Sequence, residues 1–293
     1  MRIITDSAAD LKAGEIASLW IEVAPLMIQF PEGEVSSEAI SPDDFYGRLS
    51  AMVPKVPTTS QPSAGVFADI YRRIELQGET ILSIHISSGL SGTLESARLG
   101  AQQVPGVDIT HVDSLTLSGG QRYHVLAAAW GDRAGWTKEA ILEMLNKVRE
   151  STEVIYTLET LDYLARGGRI GRVQALAGSL LKVKPIIKVD KTDGKYSTVG
   201  KGRTLNRTME DIVRYLSEVY GSSTPVWVSV MHGQLRDQAE TLAEMIGLEL
   251  NVAKCEILRI SPVLGVHTGP GVVGAAVVPI EIFQDLLQTY SGE

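Results

Sequence analysis

Cysteine, basic residues and long apolar runs are all scarce in this chain. It has a single cysteine, Cys255, so no disulfide can form within the chain, as is usual in a reducing cytoplasm. Its 27 lysines and arginines are outnumbered by 35 aspartates and glutamates, and the net charge of −8 argues against general nucleic-acid binding. No stretch approaches the roughly 18 apolar residues of a membrane span, and residues 1–7 lack the apolar region of a signal peptide. We therefore expect a cytoplasmic protein that binds no nucleic acid and is not integral to a membrane, with transient contact with a membrane surface left open.

Common motifs of nucleotide, hydrolase and metal sites are missing as well. The sequence has no G-x-x-x-x-G-K-[ST] loop for a nucleotide and no G-x-S-x-G turn for a nucleophilic serine. No H-x-x-x-H or C-x-x-C pair suggests a metal site. We expect neither a metal nor a cofactor.

The order of apolar runs and helix-like stretches predicts an α/β protein. With 293 residues the chain has room for about two domains. Runs at 3–4, 21–30, 81–86 and 107–112 are predicted strands that alternate with helices, which favours a mainly parallel sheet in the first half. We place a boundary near 150–153, which gives α/β domains at 1–152 and 153–293. In the second domain, helices are predicted at 175–181 and, at the end of the chain, through Tyr290.

The most informative segment is the loop at 87–93, S-S-G-L-S-G-T, which joins a predicted strand to a predicted helix. Backbone N–H groups at a helix start, with glycines and hydroxyls around them, suit a carboxylate or a phosphate. The alternative interpretation is an ordinary N-cap. Asp6, this loop and Asp113 all follow predicted strands, so they are expected at one edge of the sheet.

Two further loops carry polar groups beside glycine or proline. Residues 57–63, P-T-T-S-Q-P-S, form a stiff loop that either aims a hydroxyl at a ligand or only caps the next helix through Ser63. His267 opens the segment H-T-G-P-G at 267–271, where it either binds a ligand oxygen or bonds to local backbone.

A third segment is basic. Residues 163–172 hold three arginines and three glycines on an acidic protein, which suits a phosphate or an acidic partner. The alternative is a solvated helix end whose arginines complement the helix dipole. Residues 201–204 form a smaller basic group with the same alternative.

Taken together, these segments resemble the DegV family, the fatty-acid-binding subunit of bacterial fatty acid kinase. The resemblance rests on an ordered set that spans nearly the whole chain: T-D-S at 5–7, T-S-Q-P-S at 59–63, S-S-G-L-S-G-T at 87–93, L-E-T-L at 158–161, G-G-R-I at 167–170, K-P-I at 184–186 and H-T-G-P-G at 267–271. It implies two α/β domains, with a long-chain fatty acid buried between or within them as the bound ligand.

The resemblance also implies roles for particular residues. Thr59 and Ser91 would hold the carboxylate, and the head-group site would further include Ser60, Gly92, Arg203 and His267. The loop with Arg166, Arg169 and Arg172 would dock an ATP-binding kinase subunit, which phosphorylates the carboxylate to an acyl phosphate for phospholipid metabolism. This chain would then be a non-catalytic lipid-binding subunit.

Two other functions stay open at this stage. One is a stand-alone lipid carrier or sensor, and the other, less favoured, is a serine hydrolase that uses Ser91 with His267. For lipid binding, burying about 15 methylenes at ~0.8 kcal/mol each gives a gross gain near ~12 kcal/mol. Two neutral hydrogen bonds contribute about 1 kcal/mol each. Affinity is therefore expected from the tail, and Thr59 and Ser91 are expected to set the orientation of the head group.

Overall fold

The computed structural model describes residues 1–174 and 183–286. The helix predicted at 175–181 and the last residues of the predicted C-terminal helix lie outside this part of the chain. The strands, in chain order, are β1 (Arg2–Asp6), β2 (Glu22–Ala24), β3 (Met27–Phe30), β4 (Gly33–Ser36), β5 (Thr58–Ser60), β6 (Ile81–His85), β7 (Ile109–Asp113), β8 (Glu153–Leu158), β9 (Lys184–Val189), β10 (Tyr196–Gly202), β11 (Val226–His232), β12 (Val252–Arg259) and β13 (Val272–Pro279).

The α-helices of the described residues connect these strands. They are α1 (Ala13–Leu19), α2 (Pro42–Ala51), α3 (Ala64–Glu75), α4 (Thr93–Ala101), α5 (Ser118–Arg133), α6 (Lys138–Ser151), α7 (Asp162–Arg166), α8 (Leu205–Tyr220), α9 (Arg236–Glu249) and α10 (Pro262–Thr268). Serine side chains cap two of the helix starts, one of them at Ser63, where the sequence offered a cap as one interpretation. Ser41 accepts a hydrogen bond from the Asp44 N–H before α2, and Ser63 accepts one from the Val66 N–H before α3.

The first sheet is parallel throughout, with the strand order β2-β1-β6-β7. This confirms the α/β class and the parallel N-terminal sheet. Its central strands β1 and β6 are buried and rich in isoleucine, as in a sheet covered on both faces. The carboxyl ends of β1, β6 and β7 meet at one edge, where Asp6 accepts the Ile86 N–H and Asp113 accepts the Ser88 N–H.

The second sheet has six strands in the order β10-β9-β8-β13-β11-β12 and is mainly antiparallel, with β11 and β12 parallel. Helix α5 packs against strands of both sheets. Almost all of its side chains are buried, because it lies between the two sheets.

A third, small antiparallel sheet has the order β4-β3-β5 and packs against α10. The sequence predicted strand at 21–30, and the structure divides this stretch between two sheets. Strand β2 joins the parallel sheet and β3 joins the small one, because Pro25 has no N–H to continue a ladder. This division brings β5, with Thr59, next to the helix that carries His267.

The largest core cluster contains side chains from both halves of the chain. It joins Ile3 and Leu82 of the first sheet to Tyr156 and Trp227 of the second through residues of α5. Helix α6 ends at Ser151 and β8 begins at Glu153, where the sequence placed the boundary. The division into domains 1–152 and 153–293 stays a prediction.

Candidate carboxylate site beside an apolar cavity

Thr59 and His267 form a hydrogen-bonded pair. The Thr59 Oγ1 atom lies 2.8 Å from His267 Nε2, although 208 positions separate the two residues in sequence. Thr59 reaches this position from β5, where it pairs with Ile28 of β3. Two segments that the sequence singled out separately therefore meet in one place.

The imidazole of His267 is held neutral. The residue is 8% exposed and lies near the C-terminal end of α10. Burial, and after it the positive charge of Arg169, lowers the pKa of His267 to about 4. Its Nδ1 atom has no hydrogen-bond partner and lies against Gly167, where an added Cβ would come within 2.2 Å of it. Glycine at 167 is therefore required by this close approach.

Ser91 lies in the turn before α4. Its N–H and that of Leu90 bond to the Ser87 carbonyl at 3.0 Å, and its hydroxyl lies 2.8 Å from the hydroxyl of Thr93. The Thr93 N–H donates to Ser91 Oγ at 3.3 Å, a bond within the turn, whereas the N-cap residue of α4 is Gly92, which has no side chain to cap the helix. Ser91 Oγ is half-buried and also free to accept or donate one further bond to a ligand.

Arg169 joins this loop to the histidine. Its Nε donates to the Leu90 carbonyl at 3.4 Å and its Nη1 to the Gly167 carbonyl at 2.7 Å. The side chain is partly buried, and its charge acts on His267. Arg169 therefore points toward the predicted carboxylate site and not only toward a partner.

The 59–63 loop also touches the 87–93 loop. An added Cβ on Gly92 would lie 3.0 Å from the side-chain amide of Gln61. The structure thus brings Thr59, Ser91, Gly92, Arg169 and His267 into one neighbourhood.

Other predicted residues lie elsewhere. Ser60 is next to Thr59 on β5 and therefore faces the other way, where its hydroxyl bonds Glu34 at 3.2 Å. Arg203 is exposed in the turn between β10 and α8, and no hydrogen bond or ion pair joins it to another described residue. Arg166 is exposed and donates to the Pro54 carbonyl, and Arg172 is half-exposed in an ion pair with Asp193 at 2.7 Å.

An apolar cavity of about 20 Å³ is lined in part by the helix that carries His267. Thr268 and Leu264 of α10 line it, together with residues at the start of α5 and residues in or next to the second sheet: Leu117, Ser118, Val154, Tyr156, Tyr196, Met231, Ile260, Val272 and Gly274. A volume of this size admits about one water molecule, so the lining side chains have to move apart before a larger ligand can enter.

The hydrolase arrangement is not formed at this site, because the His267 imidazole bonds Thr59 and Ser91 bonds Thr93. An Asp–His–Ser chain does occur in the first sheet. Asp6 lies 3.0 Å from His85 Nδ1, and His85 Nε2 lies 2.7 Å from Ser83 Oγ. Ser83 and His85 are fully buried, so no substrate reaches them.

The described residues also bear on two other types of site. No group of three or more histidine, cysteine, aspartate or glutamate side chains there is arranged to hold a metal ion. None of the helices in that part of the chain combines the length and apolar character needed to cross a bilayer.

Comparison with known proteins identifies the family. A family model described as "Uncharacterised protein, DegV family" matches residues 1–280. The chain belongs to the DegV family. A DegV domain-containing protein of Deinococcus radiodurans is 35% identical over 88% of this chain and 89% of its own length. One from Halalkalibacterium halodurans is 34% identical over 93% of this chain and 96% of its own length.

Solved structures of DegV proteins share the fold. A DegV family protein of Thermus thermophilus, described by its fatty acid binding, has a TM-score of 0.88 at 32% identity and covers 95% of this chain and 100% of its own. A stearic acid-binding protein of Eubacterium ventriosum has a TM-score of 0.87 at 27% identity, with 95% and 98% covered. DegV of Bacillus subtilis, a fatty acid binding protein, has a TM-score of 0.86 at 28% identity, with 94% and 98% covered.

For this DegV protein, sequence reasoning missed the inward direction of Arg169. The signal available was the glycine pair before it, Gly167 and Gly168, in a segment that we interpreted only by its charge. Close packing of Gly167 on an imidazole is a second reason for glycine, and it places the following arginine beside that ring.

Proposed function

We propose that this protein binds one long-chain fatty acid, with its tail in the apolar cavity and its carboxylate beside Thr59, Ser91, His267 and Arg169. The observation that carries the proposal is the Thr59–His267 pair, whose histidine lies on α10, the helix whose Leu264 and Thr268 line the apolar cavity, together with the partly buried guanidinium of Arg169 whose charge acts on His267. Fatty acid binding by structural relatives of 27–32% identity supports it.

A neutral imidazole suits this role. If His267 carries its proton on Nε2, it donates to Thr59 Oγ1, and the Thr59 hydroxyl hydrogen is then free for a carboxylate oxygen. If His267 carries its proton on Nδ1 instead, Nε2 accepts a hydrogen bond from the Thr59 hydroxyl, and Thr59 can then no longer donate to the ligand. Arg169 supplies the positive charge that a buried carboxylate requires.

Burial of the tail contributes most of the affinity, because about 15 methylenes contribute far more than the head-group hydrogen bonds. To admit a chain of that length, side chains such as Met231 and Leu264 must move apart along the seam between α10 and the second sheet. Because interiors are closely packed, the shape that these side chains adopt then limits tail length and unsaturation.

We further propose that the protein presents the carboxylate to a separate ATP-dependent kinase subunit. A carboxylate oxygen attacks the γ-phosphorus of ATP, the bond to the β-phosphate oxygen breaks, and an acyl phosphate and ADP result. The protein's part is to fix and expose the nucleophile. ATP as co-substrate places the reaction in the cytoplasm. Docking is assigned to the cationic loop at 166–172, with Arg166 as its outward residue, and the exposed Arg203 is a second candidate contact.

The test is extraction of the purified protein with organic solvent, followed by mass spectrometry and by native mass spectrometry of the intact protein. About one acyl chain per protein is expected. No acyl chain and no uptake of added oleic acid would disprove the proposal. A loaded protein that gives no ATP-dependent acyl phosphate with any cognate kinase subunit would instead be a carrier or sensor.

A further inference from the structure

We propose that the hairpin between β9 and β10 is a positioning element for the carboxylate site, in which Ser87 and the Arg172–Asp193 ion pair fix the loop that carries Ser91. This inference rests on the proposed function, because it concerns how the head-group loop is held. The hairpin tip, at 190–195, belongs to the second sheet, whereas the loop follows β6 of the first.

Ser87 shapes the loop from its first residue. The residue is fully buried, and its carbonyl accepts the N–H groups of Leu90 and Ser91 at 3.0 Å. Its hydroxyl accepts the Gly89 N–H at 3.1 Å and donates to the Gly194 carbonyl at 2.9 Å. One side chain therefore bonds both the loop and the tip of the hairpin.

The fit between hairpin and loop leaves no spare room. Gly194 has a φ of +65°, and a Cβ added there would lie 1.8 Å from Ser87 Oγ. A Cβ on Gly89 would lie 2.4 Å from the Asp193 carbonyl oxygen. Displacing the hairpin would therefore release the turn that sets the direction of the Ser91 side chain.

The hairpin is tied in turn to the loop that carries Arg169. Arg172 Nη2 lies 2.7 Å from Asp193 Oδ1 and 3.8 Å from Asp190 Oδ2, and Asp193 Oδ1 also accepts the Lys195 N–H at 3.1 Å. Three segments thus hold one another in a closed ring of contacts: Ser87 with Gly194, Asp193 with Arg172, and Arg169 with the Leu90 carbonyl.

Two ligands distinguish a positioning role of the hairpin from a general role in stability. The affinity for oleic acid depends on contacts with both the carboxylate and the tail, whereas the affinity for oleyl alcohol depends on the tail contacts without a charged head group. For Ser87→Ala we expect oleic acid to bind about five- to thirty-fold more weakly, because the hydrogen bonds of the Ser87 hydroxyl with Gly89 and Gly194 are both lost, with oleyl alcohol unchanged. Ser88→Ala, an exposed neighbour in the same loop, should change neither.

Two further variant pairs address the hairpin itself. Gly194→Ala should weaken oleic acid binding selectively, whereas Gly78→Ala, with a φ of +71° and open space around it, introduces similar backbone strain without the contact. Arg172→Asp should weaken oleic acid binding about two- to fivefold, since the ion pair is half-exposed. The reversed pair Arg172→Asp with Asp193→Arg should restore it.

The outcomes are distinguishable. Equal losses for acid and alcohol in Ser87→Ala, or no loss for either, would overturn the positioning role. Arg172→Asp could instead leave oleic acid binding intact and lower only acyl phosphate formation with the kinase subunit, without restoration by the reversed pair. That result would assign Arg172 to docking and overturn its part in the ring of contacts. A wild-type protein that binds neither ligand would refute the proposed function itself.

Discussion

The replacement Thr59→Val tests the head-group site most directly. It keeps the branched shape of the side chain and removes the hydroxyl that lies 2.8 Å from His267 Nε2. In the free protein both ring nitrogens of a buried imidazole then lack a partner, because Nδ1 has none already. An unsatisfied buried group costs about 1–3 kcal/mol, which corresponds to a lower melting temperature by roughly 2–12 °C in a chain of this size.

The larger effect is expected on ligand binding. A hydrogen bond to a charged group contributes about 1.5–3 kcal/mol, so oleic acid should bind to Thr59→Val roughly 10- to 150-fold more weakly. Oleyl alcohol should lose much less, because the tail contacts remain. Titration calorimetry with both ligands measures the difference.

The matched control is Thr58→Val, the same substitution one residue earlier on β5, where the side chain is exposed. If Thr59→Val and Thr58→Val bind oleic acid within about twofold of the wild type, Thr59 does not contact the carboxylate, and the Thr59–His267 pair is only a contact between β5 and α10.

Four further measurements test the remaining steps. Arg169→Gln should weaken oleic acid binding and reduce the dependence of that binding on salt. Unchanged binding would leave docking of the kinase subunit as the only role proposed for Arg169. Arg166→Glu should lower acyl phosphate formation with the kinase subunit at low salt while fatty-acid loading is kept, and a fall in loading would contradict this. Arg122→Met leaves the carboxylates of Glu15 and Glu256 without their buried cation, and we expect a loss of about 3–5 kcal/mol in urea unfolding; a loss under about 1 kcal/mol would refute it. Folding lowers the pKa of His267 from 6.5 to about 4, so the unfolded chain binds a proton more readily than the folded protein. The free energy of unfolding should therefore fall as the pH drops from 6.5 toward 4. His267→Gln should flatten that slope, and an unchanged slope would exclude His267 as a source.

The site draws on both halves of the chain. Thr59 and Ser91 come from the first half, Arg169 and His267 from the second, and a shared core lies between the two sheets. Either half alone would therefore lack half of the proposed head-group contacts. The ion pair between Arg122 of α5 and Glu256 of β12 ties α5 to the second sheet.

Local chemistry in the sequence determined much of the fold. Alternating apolar runs predicted the strands of the parallel sheet, and the serine caps before α2 and α3 follow from the hydrogen-bonding reach of a serine hydroxyl. Glycine and hydroxyl residues also marked the 87–93 loop. These features depend on residues that are close in sequence, so the amino-acid sequence alone is enough to predict them.

Only the tertiary structure decided which of these residues act together. Thr59 and Ser60 are adjacent, and the two-residue repeat of β5 turns one toward His267 and the other toward Glu34. Arg169 and Arg172 lie in one basic loop, yet one bonds the Leu90 carbonyl and the other Asp193. Such choices depend on contacts between segments as much as 208 positions apart, which no local pattern encodes.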